Sequence, residues 1–316
     1  MAGASGFVGR RLVPALLEAG HTVRAMTRHP DGYEGQGTAV GADVSDPVTL
    51  PAAFDGAEAL VYLVHSLDAP DFVRRDADAA MAVAAAARDA GVRRIVYLGG
   101  LGMDGDDLSP HLRSRREVEH LLGTSGVPVT TLRAGIVIGH GGISWEMTRE
   151  LVKHLPVMIT PRWVRTRSQP IAVDDVVRYL VGVLDQEQAS GQTYEVGGPE
   201  VLSYAQMITR VSAVMGRRKP LLVPVPLLTP RLSSYWLQFV TDVDRTTASS
   251  LIESMTNEVI VHEDSIRTLL PRELIGFDDA ARMALAERAA EQSDPSEQAE
   301  RSPEQAGEQE GSRAAA

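Results

Sequence analysis

The sequence predicts a doubly wound α/β fold: a parallel sheet with helices on both faces, then a smaller, less regular region and a polar tail. Three observations carry this. Short apolar runs such as Ala59–Val64 (ALVYLV) and Arg94–Leu98 (RIVYL) alternate with helical stretches, the pattern of strands buried on both faces and joined by crossover helices. Gly3, Gly6 and Gly9 are spaced GxxGxxG and run directly into an amphipathic helix, Arg10 to Ala19. Past about Ile136 the alternation stops.

Taken in order, Val8, Leu12, Ala15 and Leu16 share one face of the first helix, and Gly20 stands where a helix prefers to end. His21–Thr27 reads as a strand, Thr38–Gly41 as a second, Val48–Phe54 as a short helix and Ala59–Val64 as a third strand. Asp76–Ala90 is an alanine-dense helix closed by Gly91, and Arg94–Leu98 is the next strand. Ser109-Pro110 starts a helix running to about Leu122, with serine as N-cap and proline at the first helical position. Val127–Arg133 is the following strand. The spacing then predicts helices over Trp145–Leu155, Asp174–Asp185 (capped by Asp174) and Ser203–Met215, with a late strand at Thr193–Val196. From about Gln292 onward Glu, Gln, Ser, Pro and Ala dominate without apolar periodicity, the composition of disorder. The expected organisation is a core over residues 1–140, a cap or substrate region over 141–286, and a disordered acidic tail over 287–316.

Composition narrows the function classes. The chain has 316 residues and a net charge of −11, which disfavours a nucleic-acid partner held through phosphates. Glu287–Ala316 contains eight acids and three bases, so nearly half of that charge is local. With no cysteine there are no disulfides, thiolate metal sites or cysteine nucleophile, and a reducing cytoplasmic setting is expected. The most apolar later stretch, Leu221–Val240, is broken by Pro224, Pro226, Pro230 and Arg231 and does not read as a membrane span. No His/Asp/Glu spacing suggests a metal site.

The chemistry starts at the glycine turn. Gly3, Ser5, Gly6, Phe7, Val8 and Gly9 are placed to let the backbone approach a pyrophosphate and offer it the amides of a helix N-terminus. About 20 residues on, where an acid would hold an NAD ribose, stand Thr27-Arg28-His29. Arg28 suits a 2′-phosphate, which favours NADP while leaving NAD possible; its plain alternative is a solvated strand-end charge. Asp43, with Val44, follows the next strand and either accepts from an adenine amine or serves as a turn or N-cap residue. Val64 and His65 end the third strand, at the edge where such sheets bind ligands. Gly99 and Gly100 leave room for a nicotinamide ring or form a tight turn, and Gly135 permits close backbone approach after the last strand. No strand precedes Gly3, so the central strand of the sheet is expected to be missing and to lie upstream of Met1.

In the second half, Arg162, Trp163, Arg165 and Arg167 form a basic run that suits an anionic or planar substrate or an interdomain charge cluster. Tyr235, Trp236 and Phe239 suit a core or a lid.

AGASGFVGRRLVPALLEAGHTVRAMTR, YLVHS, RIVYLGGLG and LRAGIVIG together resemble the atypical extended short-chain dehydrogenase/reductase superfamily. More narrowly, the chain is similar to the Rossmann-fold proteins related to the accessory subunit of respiratory complex I. The resemblance covers roughly Met1 to Ala280. It implies a Rossmann-like sheet and an NAD(P)-dependent activity centred on a Tyr-x-x-x-Lys pair. At the aligned helix this chain has His111-Leu112-Arg113-Ser114-Arg115, so His111 and Arg115 replace tyrosine and lysine four residues apart on one helix face. Imidazole could serve as acid/base, whereas arginine could hold a ribose or phosphate but not act as a tunable amine. The usual upstream serine or threonine is replaced within Gly99-Gly100. The resemblance therefore implies an NADP(H)-binding oxidoreductase acting on a small organic carbonyl or quinone-like substrate. The altered pair implies the alternative of a non-catalytic NAD(P)-binding redox sensor or assembly factor. An epimerase, which normally needs the Tyr/Lys pair, ranks last.

Overall fold

The computed structural model describes residues 1–67, 69–102, 108–224 and 253–293. After the glycine turn come helix α1 (Gly9–Glu18), β1 (Arg24–Thr27), β2 (Thr38–Gly41), α2 (Leu50–Phe54), β3 (Ala59–Tyr62), α3 (Phe72–Asp89), β4 (Arg94–Gly100), α4 (Pro110–Gly123) and β5 (Val129–Ala134). The second half adds β6 (Val137–Ile138), α5 (Ile143–His154), β7 (Val157–Thr160), β8 (Arg167–Ser168), β9 (Ile171–Ala172), α6 (Val173–Asp185) and β10 (Thr193–Val196). It ends with β11 (Leu202–Ser203), α7 (Tyr204–Val214), β12 (Leu221–Pro224), α8 (Ser265–Leu269) and α9 (Phe277–Ser293).

The central sheet is parallel: β10-β5-β4-β3 on one side and β1-β2 on the other. Ala2 stands between the two halves, bridged to Met26 on β1 and Tyr62 on β3. The Ala2 amide donates to the Val61 carbonyl at 2.9 Å, and the Leu63 amide donates to the Ala2 carbonyl at 3.1 Å. On the other side the Met26 amide donates to the Met1 carbonyl at 2.9 Å. No strand precedes Gly3 among the described residues, as the sequence predicts; Met1 and Ala2 alone stand at the central position, where they pair with β1 and β3.

Alternate residues along each strand enter opposite cores. Val61 and Val96 point to the face covered by Leu12, Val13 and Leu16 of α1 and Val176, Leu180 and Val183 of α6. Leu60, Tyr62, Ile95 and Tyr97 point to the face covered by Ala80, Val83 and Ala87 of α3 and Val118 and Leu122 of α4. A third core joins Trp145, Met147 and Leu151 of α5 to Met207 and Val211 of α7 and Phe277 and Ala281 of α9. Residues beyond 140 also complete the first sheet, because β10 pairs with β5 and α6 packs against α1.

Several local expectations are corrected. Ala172 stands at the N-cap position of helix α6, which has no side-chain cap, and Asp174 sits in its first turn, where a carboxylate meets the positive end of the helix dipole. Helix α3 begins at Phe72, ahead of the expected Asp76. The polar tail does not start at residue 287, because α9 continues to Ser293. Its charges are matched across space: Glu287 pairs with Arg11 at 2.5 Å, Arg288 with Glu146 at 3.3 Å, and Glu291 with His140. Composition alone cannot reveal partners so distant in the chain. Tyr235, Trp236 and Phe239 lie outside the described residues, and among those described no helix is long and apolar enough to cross a membrane.

Leu122 is fully buried where α4 meets the sheet. Leu122→Ala is expected to cost about 2–5 kcal/mol through lost burial and a residual cavity. Comparing urea unfolding curves of variant and parent checks this.

Candidate active site

The glycine turn is shaped by what its side chains would strike. Gly3 has φ +84°, and a Cβ there would come within 3.1 Å of Leu63 Cβ. At Gly9 a Cβ would collide with the Gly3 and Ala4 carbonyl oxygens. Gly3 thus supplies the left-handed turn, and Gly9 lets α1 press against it. Ser5 and Gly6, at the crown, are exposed. Helix α1 has no side-chain cap; its first amides are held by the turn itself, the Arg10 amide donating to the Gly6 carbonyl at 3.0 Å and the Leu12 amide to the Val8 carbonyl at 3.0 Å. Behind the crown, Arg11 spans the Phe7 carbonyl (2.7 Å) and the His140 carbonyl (2.8 Å), with its guanidinium 4.9 Å from the centre of the Phe7 ring. Val8 is half-buried against the core beneath α1.

Arg28 is exposed just past β1. It lies close enough to Asp43, after β2, to act on it electrostatically. Asp43 Oδ1 accepts from the Ser45 amide (2.9 Å) and hydroxyl (2.6 Å), so the turn reading is realised here. Burial pushes the Asp43 carboxyl up, but the Ser45 hydrogen bonds and Arg28 outweigh it, and the group titrates below its ordinary range. Val44 is half-buried against the α3 core.

The other end of the sheet edge brings His65, His111 and Arg115 together. Leu63, which abuts the glycine turn, leads through Val64 to His65. Ser109 caps α4, its Oγ accepting from the Leu112 amide at 3.3 Å, and this fixes where His111 and Arg115 emerge. His111 Nδ1 lies 3.2 Å from Ser254 Oγ, which is 3.0 Å from Ser109 Oγ. The Ser109 amide donates to Asn257 Oδ1 at 3.1 Å. Burial and then the Arg115 charge push the His111 pKa down to about 3. The His65 pKa is lowered for the same two reasons, with His111 adding to them. Both rings are neutral near pH 7.

Arg115 itself is 6% exposed and ion-paired to Asp76, which is 2% exposed, at 3.1 Å. The buried Nε of Arg115 has no acceptor among the described residues. Asp76 also accepts the Ser66 amide at 2.8 Å. Burial raises the Asp76 pKa, against the opposing pull of Arg115 and the Ser66 hydrogen bonds. Tyr97 on β4 donates to the Arg115 carbonyl at 3.1 Å.

Two expected glycine roles take a different form. A Cβ at Gly100 would meet Leu112 Cδ2 at 3.0 Å and Arg115 Cγ at 3.3 Å. At Gly99 it would meet the Tyr97 ring at 3.0 Å. The space these glycines open is therefore taken up by α4 and the core. At Gly135 a Cβ would meet Val259 Cγ2 at 3.2 Å. Val259 in turn packs with Leu101 and Leu112, so Gly135 joins the site through the 253–262 segment. In the expected basic run, Arg167 pairs with Glu258 at 2.8 Å and Trp163 packs edge-on to Tyr204.

Sequence reading missed Asp76, Ser254, Asn257 and Arg11. Only Asp76 left a local signal: an acid on the helix face it shares with Ala80, Val83 and Ala87, which is otherwise apolar.

The comparisons with known proteins fit this arrangement. The family model described as NAD(P)H-binding matches residues 3–187. The chain belongs to that family. It is 31% identical over 228 residues to the (4-alkanoyl-5-oxo-2,5-dihydrofuran-3-yl)methyl phosphate reductase of Streptomyces griseus, a match covering 68% of this chain and 73% of that one. Against the NADH dehydrogenase [ubiquinone] 1 alpha subcomplex subunit 9 of Arabidopsis thaliana identity is 27% over 241 residues, covering 71% and 59%. In fold it is similar to an NADPH-dependent quinone oxidoreductase of Escherichia coli solved with NADPH, at a TM-score of 0.72 and 20% identity, covering 89% and 97% of the two chains.

Gly9→Ala is expected to weaken NADPH binding by at least about tenfold, since the turn must open to admit the methyl group; titration calorimetry reads this directly. A pH dependence also follows. His111 is neutral in the fold to about pH 3, while an unfolded histidine takes up its proton near pH 6.5. The unfolded state thus binds more protons between those values, so stability is complete above that window and falls as pH drops through it. His65 adds less, because it keeps an exposed face that water can screen, and the buried Met1 amine, lowered to about 5 by burial and then by Arg24, adds to the fall between about pH 8 and 5. The urea midpoint should fall from about pH 7.5 to about pH 5, and His111→Gln should flatten that slope.

Proposed function

We propose that this NAD(P)H-binding protein is an NADP(H)-dependent oxidoreductase that reduces a small organic carbonyl or quinone-like compound. One observation carries the reading: a single sheet edge holds a glycine turn, an exposed cationic residue at its far end, and two neutral histidines beside Arg115 at its near end. The crown Ser5–Gly6 and the start of α1 would hold the pyrophosphate. Arg28 would meet a 2′-phosphate, which favours NADP over NAD. Bound NADPH supplies a hydride.

The residues at the near end then prepare the acceptor. Neutral His111 can offer a ring N–H to the oxygen of a substrate carbonyl, polarising it as charge develops there. Because its pKa is far below 7, it would act as a hydrogen-bond donor, and water would complete protonation of the new hydroxyl. Ser254 and the Ser109 cap hold the ring in place for this.

A second reading, a non-catalytic redox sensor or assembly factor, draws support from the Asp76–Arg115 ion pair, which engages the residue standing where a family lysine would be.

Purified protein incubated with NADPH and a panel of quinones and aldehydes is expected to oxidise the cofactor. His111→Ala is expected to cut turnover about a hundredfold, the scale of losing one donor to charge developing on a substrate oxygen. Tight NADPH binding with no turnover on any substrate would favour the sensor. Arg28→Ala is expected to weaken NADPH about tenfold and leave NADH nearly unchanged; equal losses for both cofactors would remove Arg28 from the 2′-phosphate.

A further inference from the structure

The Asp76 carboxylate touches both elements that carry the histidines of the near end. It sits on α3 and is 2% exposed. One oxygen accepts the Ser66 amide at 2.8 Å, in the loop that carries His65. The other faces Arg115 Nη2 at 3.1 Å, on the helix that carries His111. Arg115 is anchored a second way, because the Tyr97 hydroxyl of β4 donates to its carbonyl. Helices α3 and α4 pack side by side on the same face of the sheet.

Packing alone does not call for this pair. A buried ion pair is often no more stable than apolar residues of similar volume, because both charges lose their hydration. Asp76 shares the buried side of α3 with Ala79, Ala80 and Val83, and Arg115 that of α4 with Leu112 and Val118. The arrangement also leaves Arg115 Nε buried and without an acceptor among the described residues, a state that is costly in a finished core. A cost of this kind is retained where placement matters more than stability.

We infer that Asp76 is a positioning residue: by gripping the Ser66 amide and the Arg115 guanidinium together, it sets the spacing between the His65 loop and the His111 helix. This rests on reading the His65–His111–Arg115 cluster as the nicotinamide end. Asp76 touches neither ligand; it acts through the groups it holds.

Three forms of the full chain test this: the parent, Asp76→Asn/Arg115→Met and Asp76→Ala/Arg115→Met. The double changes remove both charges, so no unpaired ion is left to unfold the protein, and melting temperature monitors the fold. The asparagine side chain keeps an acceptor for the Ser66 amide, whereas alanine offers none. Hydrogen exchange at the Ser66 amide is expected to stay near the parent rate in the asparagine form and to rise at least about tenfold in the alanine form. With the guanidinium gone, the His111 C–H proton resonances should titrate at higher pH in both variants. The NADPH dissociation constant is expected to rise about tenfold in the asparagine form and further in the alanine form, with kcat falling where turnover is measurable.

Unchanged Ser66 exchange in the alanine form would overturn the grip on the loop. Parent-like NADPH affinity and kcat in both folded variants would make the pair merely structural. If the parent bound no NADPH, the functional reading would fall, while exchange at Ser66 and the His111 titration would still judge the positioning role.

Discussion

Ala2 is hydrogen-bonded into the middle of the parallel sheet, and the geometry of the site depends on that one position. β1 carries Arg28 just past its end and β3 leads to His65. The two strands are joined through Met1–Ala2, which pairs with each of them. The glycine turn begins at the next residue. Its crown, the Arg28 end and the His65 loop are therefore held relative to one another through a few backbone hydrogen bonds. In a parallel sheet buried on both faces, an unpaired amide at this point would cost about 1–3 kcal/mol, so the pairing constrains position and also contributes stability.

The same geometry explains why glycine stands at both ends of the turn. The chain must leave the sheet, reverse beneath Leu63 and enter α1 within a few residues. A left-handed residue and a residue without a side chain are what that path requires. Arg11 braces the back of the turn by holding the Phe7 and His140 carbonyls, and Glu287 of α9 in turn pairs with Arg11. Helix α9 is thus part of the support for the first loop of the chain.

Much of this is legible in the sequence. Apolar runs of strand length mark β3, β4 and β5, because strands buried on both faces need continuous apolar residues. Ser109-Pro110 marks the start of α4, since capping chemistry is local. What escapes is set by contacts distant in the chain. The roles expected of Gly100 and Gly135 change because Arg115 and Val259, brought in by other elements, stand close beside them. Asp174 has the chemistry of a cap, but α6 starts one residue before it and Ala172 takes that place. The last turns of α9 have the composition of disorder because their stabilisation comes from Arg11, His140 and Glu146, each well over a hundred residues away.

The net charge of the chain is a poor guide to the near end of its site. An overall −11 suggests repulsion of any anionic ligand, yet charge acts over about a Debye length, roughly 8–10 Å in physiological salt. The charge that bears on both His65 and His111 is that of Arg115, which is itself paired with Asp76, while both histidines are held neutral. The pair cancels at long range but not at contact, where the guanidinium presents donors and the carboxylate faces the loop behind it. Such a site exerts little pull on distant ions and is still directional toward an oxygen already in place. On the proposed reading, that combination favours an uncharged acceptor over a carboxylate, which would call for an unpaired cation.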